Sequence, residues 1–304
     1  MVLISGRGCT GSLRSAGLAV GWVVGFVVCL VAGQAAQAEP LRLLIAPQLT
    51  DERLSEAEPA HLVVYEPGQA AAPLLVWLPG TGGQPARGPQ GFYDTALQQG
   101  YRLVALSYLN TPAVSQVCTG ARLAKPDCAG RFRQHRVWGE PLTPLVADRN
   151  EDAIVPRLAR LLQHLARSDA GGQWAQYLDG SSPRWARITL AGQSQGGGMA
   201  AYIAQTRRVA GVIQFSGGWD HTTGGDIAEW YGRPSVTPPE VWHATFHVQE
   251  VQAATMARIY QRLGVPAAQV HALSEPVVGR LPHGEGIGNA AYQPLWVQML
   301  ARPR

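Results

Sequence analysis

The chain is short of charge, of cysteine and of internal repetition, and each shortage closes off a class of function. Charged residues make up 15% of its 304 positions. No lysine or arginine cluster interleaves with aromatics, so no stretch is suited to tracking phosphates and a nucleic-acid partner is not expected. No repeat or long low-complexity linker divides the sequence. The four cysteines stand at Cys9, Cys29, Cys118 and Cys128. No histidine lies at zinc-finger spacing from the last two, which leaves a metal pair without its other ligands.

What is present begins with an export signal. Arg7 and Arg14 precede an apolar run from Ala16 to about Gly33, and Ala36-Gln37-Ala38 offers small residues for cleavage. Residues 1–38 are therefore expected to be removed, leaving a secreted or periplasmic chain that starts at Glu39. A retained membrane anchor is the rival reading, because the run approaches the length of a bilayer span. Cleavage would leave no stable anchor. Cys29 lies inside the apolar run behind Val27 and Val28, which is not the setting of a lipid-attached cysteine. Losing two arginines and no acid takes the formal charge from +4 to 4 − 2 = +2, so the basic balance carries little meaning. Cys118 and Cys128 are the pair that survives, and in an exported chain they are expected to form a disulfide.

The 304 − 38 = 266 residues that remain suit one α/β domain, 39–304. Short runs rich in valine, leucine and isoleucine alternate with longer amphipathic stretches, the pattern of a mostly parallel sheet of about eight strands with helices on both faces. His61 to Tyr65 and Leu74 to Leu78 read as strands that can form an antiparallel hairpin at a sheet edge. Further strands are expected at Arg102 to Tyr108, Arg187 to Leu190, Val209 to Phe215, Val241 to Val248 and Val270 to Leu273. Helices are expected near Phe92 to Gln99, Asp152 to His164, Gly196 to Gln205, Ala253 to Leu263 and Ala290 to Ala301. Leu109 to Val146 shows no sustained period and reads as a long functional loop.

Gly192-Gln193-Ser194-Gln195-Gly196 matches G-x-S-x-G. In a chain with 35 glycines the pattern alone is weak, and its context carries the reading. An apolar run, Ile188-Thr189-Leu190-Ala191, precedes it and Gly197-Gly198-Met199-Ala200-Ala201-Tyr202-Ile203 follows, which is the strand, sharp turn and helix that present a nucleophilic serine. A glycine-rich turn with an N-capping serine is the bland alternative. Ser194 is the candidate nucleophile, and the amide of Gln195 at the helix start is a candidate donor to the reacting oxygen.

Leu78-Pro79-Gly80-Thr81-Gly82-Gly83 follows an early strand, where a second such donor is needed. The amide of Thr81 is the first choice and that of Gly82 the alternative. As a phosphate loop the segment fails, since it lacks the third glycine of a dinucleotide fingerprint and no Gly-Lys-Ser/Thr follows. A serine nucleophile needs a base, and the chain order is serine, acid, histidine. Of the histidines after Ser194, His283 lies in a turn shortly before the closing helix, with His271 and His221 in reserve. His243 and His247 alternate within a strand and read as structural. The acid is Glu250 or Asp220, each after a strand end, and the residues by themselves do not separate them.

Taken together, Leu74 to Gly83, the elbow from Gly192 to Gly198, Val212-Ile213-Gln214-Phe215-Ser216-Gly217-Gly218 and Pro282-His283-Gly284 resemble a poorly characterised group of bacterial α/β hydrolases. The likeness runs through nearly all of 39–304. It implies the α/β-hydrolase fold and a serine hydrolase mechanism. It also implies an acid just beyond a strand with an aromatic and a histidine, as in Phe246-His247-Val248-Gln249-Glu250, which favours Glu250, here a glutamate where aspartate is more usual. The expected reaction is cleavage of an ester or related acyl bond in a small or polymeric substrate, with no cofactor and no metal. A binding protein that kept the fold without turnover, and an acyltransferase using the same triad, are the alternatives. The aromatics from Trp219 to Tyr231 suit either an apolar pocket or the core. Oligomeric state is not legible.

Overall fold

Ten strands and nine α-helices run through residues 39–54, 58–69, 71–125 and 127–301, the part of the chain that the structure, a computed structural model, describes. The expected leader lies outside these residues. The strands are β1 (Leu41–Ile45), β2 (His61–Tyr65), β3 (Leu74–Leu78), β4 (Arg102–Ala105), β5 (Leu178–Asp179), β6 (Ser182–Pro183), β7 (Ile188–Gln193), β8 (Gly211–Phe215), β9 (Trp242–His247) and β10 (Val270–Leu273). The helices are α1 (Gln90–Gln98), α2 (Val114–Val117), α3 (Gly120–Leu123), α4 (Cys128–Trp138), α5 (Ile154–Ser168), α6 (Gln195–Thr206), α7 (Ala253–Arg262), α8 (Glu285–Gly288) and α9 (Gln293–Leu300).

Eight strands form one sheet in the order β1-β2-β4-β3-β7-β8-β9-β10, and β5 and β6 make a separate ribbon. Only β2 runs against the rest of that sheet: it is antiparallel to β1 and β4, while the other five pairings are parallel. Side chains alternate across the sheet. In β3, Leu74, Val76 and Leu78 enter the core that holds α5, α6 and α7, whereas Leu75 and Trp77 enter the core under α1 and α9. All five are buried, so the strand is apolar throughout, as a parallel strand covered on both faces must be. Each such aliphatic side chain stabilises the fold by about 1.5–3 kcal/mol. Helices on both faces of this mostly parallel sheet make the α/β-hydrolase fold. Among the described residues no helix is long and apolar enough to cross a membrane.

Two expectations are overturned. β2 and β3 do not form a hairpin, because β4 lies between them and pairs with both. The segment from Leu109 to Val146 is not a loop throughout. It contains α2, α3 and the 11-residue α4, whose Phe132 and Val137 are wholly buried in the larger core. Cys118 and Cys128 are bonded to each other, joining the end of α2 to the start of α4.

The parallel strands β3, β7, β8, β9 and β10 end at the same edge of the sheet. β3 and β7 are neighbours, yet the chain moves from β3 outward to β4 and from β7 outward in the other direction to β8. A crevice opens where the winding reverses, and the segments after both strands border it.

Candidate active site

Ser194 stands between β7 and α6 with φ 56° and ψ −123°, a backbone conformation that a residue with a Cβ adopts only under strain. Two glycines make the turn possible. A Cβ on Gly196 would collide with the carbonyl oxygen of Leu78 in β3, and one on Gly192 would collide with the backbone of Gly196 and Gly197. The glycines of the motif are thus required by the close approach of α6 to β3 and β7. The amide of Ser194 donates to Phe215 O at 2.8 Å, which fixes the turn against β8.

A small cavity of about 50 Å³ has Ser194, Thr81 and Gln195 in its wall together with Arg133, Gly218 and Trp219. The backbone amides of Thr81 and Gln195 have no hydrogen-bond partner among the described residues. Gly82, the alternative donor, is already engaged, since its amide donates to Asn110 Oδ1 at 3.1 Å. The side chain of Gln195 holds the approach to α2: its Oε1 accepts from the amide of Val114 at 3.0 Å and its Nε2 donates to Asn110 O at 2.6 Å.

His283 lies beyond β10 in a short 3-10 turn ahead of α8. Its Nδ1 is 2.6 Å from Glu250 Oε2, and its ring meets Trp219 edge-on at 5.2 Å between centroids. The side-chain amide of Gln193, the residue before Ser194, donates to His283 O at 3.2 Å. Neither Ser194 Oγ nor His283 Nε2 has a hydrogen-bond partner among the described residues. Such a contact is often open in the absence of substrate and closes when the substrate binds.

Glu250 follows β9, and its carboxylate is gathered by three donors. Oε1 accepts from Ser216 Oγ and from the amide of His247, each at 2.7 Å, while Oε2 faces His283. Burial pushes this carboxyl up, and the hydrogen bonds from His283, Ser216 and His247 outweigh it, holding the group below the usual glutamate range. These bonds favour the ionised form of Glu250.

Asp220, the other candidate acid, serves a different partner. It accepts from Arg133 Nε at 2.6 Å, Arg133 Nη2 at 2.9 Å and Trp230 Nε1 at 2.9 Å. His271 stacks on His243, with ring planes 14° apart, across β9 and β10. His247 is buried and bonded to Glu275 O and the amide of Gln249. His221 is exposed, with Nδ1 3.3 Å from Trp219 O. The structure thus brings Glu250 and His283 together, whereas Asp220 lines the cavity beside Ser194 with its carboxylate held by Arg133 and Trp230, and neither His221 nor His271 is bonded to either carboxylate.

Sequence reasoning missed three residues of this site. Ser216 has φ 48° at the end of β8 and supplies a hydroxyl to Glu250. Its signal was the Phe215-Ser216-Gly217-Gly218 run, noted only as part of a likeness. Arg133 was hidden in a stretch read as loop, and Asn110, which joins the Gly82–Gly83 turn to the segment before α2, carries no pattern of its own. Of the aromatics expected at the pocket, Trp219 lines it, while Trp230 and Tyr231 are fully buried core. No group of three or more histidine, cysteine, aspartate or glutamate side chains among the described residues could hold a metal.

No protein-family model matches the sequence, and no curated protein matches it. Among solved structures, the chain is similar to a dienelactone hydrolase of Anabaena variabilis, at 14% identity and a TM-score of 0.46 over 88% of this chain and 100% of that one. It is similar to an S-formylglutathione hydrolase of Staphylococcus aureus at 9% identity and a TM-score of 0.49, over 86% and 98% of the two chains. A Pyrococcus furiosus esterase gives 10% identity and a TM-score of 0.46, over 86% and 92%.

Proposed function

We propose that the protein is an exported serine hydrolase that cleaves carboxylic esters through Ser194, His283 and Glu250. The observation that carries this reading is a strained serine at a strand-to-helix turn, in a cavity walled by Trp219, whose ring meets an imidazole held at its Nδ1 by a buried carboxylate. Glu250 accepts from Nδ1–H, which fixes the tautomer that leaves Nε2 as the proton acceptor. Ser194 Oγ attacks the ester carbonyl and passes its proton to Nε2. The carbonyl oxygen becomes an oxyanion that the amides of Thr81 and Gln195 receive. Collapse breaks the bond to the alcohol oxygen, which leaves with the proton from Nε2 and vacates the site. Water then attacks the acyl-serine, gives its proton to Nε2, and the acid departs as Ser194 regains a proton. Apart from the ester and water, the steps use only the chain's own side chains and amides.

Export is supported by the leader read from residues 1–38 and by the bond between Cys118 and Cys128 in the mature chain. The test of function is hydrolysis of p-nitrophenyl acetate by the purified chain beside Ser194→Ala. The serine variant is expected to lose at least about a thousandfold in kcat. Equal turnover by the two proteins would refute the proposal.

A further inference from the structure

Ser194 and His283 face spaces of very different size. Ser194 shares its cavity of about 50 Å³ with Thr81 and Gln195, whose amides are the proposed oxyanion donors. His283 borders instead a cleft of about 780 Å³, together with Gln193, Val278, Leu281 and Ile287. Which half of an ester enters which space follows from the mechanism proposed above, on which this inference rests. The tetrahedral carbon bonded to Ser194 Oγ carries three other groups. Its oxyanion points at the amides, and its alcohol oxygen must face His283 Nε2 to take the proton. The alcohol therefore lies along the cleft, and the acyl chain is left with the small cavity.

That cavity admits little. A water needs about 10–15 Å³ of such space, so 50 Å³ holds about four atoms of that size. The carbonyl carbon and its oxygen account for about two of them, which leaves room for about one or two chain carbons. Val114, on α2, borders the cavity and also the next space beyond it, which measures about 10 Å³ and is walled by Cys118 and Ala129. α2 is tied down at both ends: the amide of Val114 donates to Gln195 Oε1 at 3.0 Å, and Cys118 is bonded to Cys128 of α4. A longer acyl chain would have to displace packed side chains. The cleft has the opposite character. Val278 and Leu281 on its border are 70% and 68% exposed, apolar surface that an apolar alcohol would cover.

We propose that the protein selects acetyl or propanoyl esters of large apolar alcohols, with Val114 setting the acyl limit and Leu281 receiving the alcohol. Hexyl acetate and ethyl hexanoate test it, since these isomers carry the same two chains on opposite sides of the ester group. With each kcat/KM divided by the ester's own hydroxide hydrolysis rate, the wild type should favour hexyl acetate at least about tenfold. Val114→Ala should narrow that ratio at least about threefold by raising kcat/KM for ethyl hexanoate. Leu281→Ser, at an exposed position, should narrow it by lowering kcat/KM for hexyl acetate. A wild-type ratio below about tenfold would overturn the inference, and so would a ratio that neither variant narrows. Turnover of p-nitrophenyl acetate would leave the hydrolase reading intact in either case. No turnover of p-nitrophenyl acetate above that of Ser194→Ala would instead remove the hydrolase reading, and this inference with it.

Discussion

Glu250 and Asp220 sit just beyond neighbouring strands, both are 8% exposed, and both have their oxygens occupied, yet they do different work. Asp220 faces a permanent cation, Arg133, and the pair fastens α4 to the segment after β8. Glu250 faces an imidazole that is 31% exposed beside the cleft, and its other oxygen is held by a hydroxyl and an amide. In the proposed mechanism, what separates the structural carboxylate from the one assigned to catalysis is the partner. An arginine that never releases its proton can only be anchored, whereas a histidine can be oriented and then used.

The sharpest way to break that contrast is to remove each carboxylate in turn. Glu250→Ala is expected to lower kcat by roughly 10³–10⁴-fold, the scale seen when a triad loses its orienting acid. Its folding should stay cooperative, as read by ester hydrolysis beside thermal unfolding. Asp220→Ala is expected to act on stability first, by about 3–5 kcal/mol in denaturant unfolding, because it leaves Arg133 buried without its counter-charge. Reversal of these two profiles would show that the acid had been assigned to the wrong strand end.

Acid sharpens the same contrast. The folded-state pKa of Glu250 lies below its ordinary value, so its stabilising contribution is complete above the ordinary glutamate range and disappears as pH falls through the lowered value. The gap in unfolding free energy between wild type and Glu250→Gln should therefore be widest near neutrality and close on acidification. A gap that widened toward low pH would contradict the hydrogen-bonded, ionised carboxylate. The smallest effect is expected from Ser216→Ala. It removes one of the donors to Glu250, and about tenfold in kcat, with KM little changed, should be lost if the hydroxyl positions the carboxylate. Unaltered kcat would make Ser216 a feature of the turn alone.

The parts of this arrangement that were legible in the sequence are those set by local backbone demands. The elbow declares itself because Gly192 and Gly196 are needed by close contacts with Gly196–Gly197 and Leu78, and apolar β7 and the buried helix α6 flank it. β3, β8, β9 and β10 are readable as compact apolar runs, and α5 as an amphipathic stripe of Ile154, Leu158, Leu161, Leu162 and Leu165. α4 escaped because its buried residues include Arg133, His135 and Arg136, which erase the apolar period that betrays a helix. The pairing of β2 with β4 in place of β3 is a matter of which strands meet across the sheet, and the turn residues between β2 and β3 do not report it. Glu250 and Asp220 are likewise alike in their local sequence setting. Only the fold decides that one meets His283 and the other meets α4.

The chemistry rests on the hydroxyl of Ser194 being the group that attacks, and covalent trapping reads that atom directly. A fluorophosphonate should add one equivalent to the wild-type chain, with the modified peptide mapping to Ser194, and should add nothing to Ser194→Ala. Undiminished labelling of that variant, or an adduct placed on another residue of the wild type, would contradict the account.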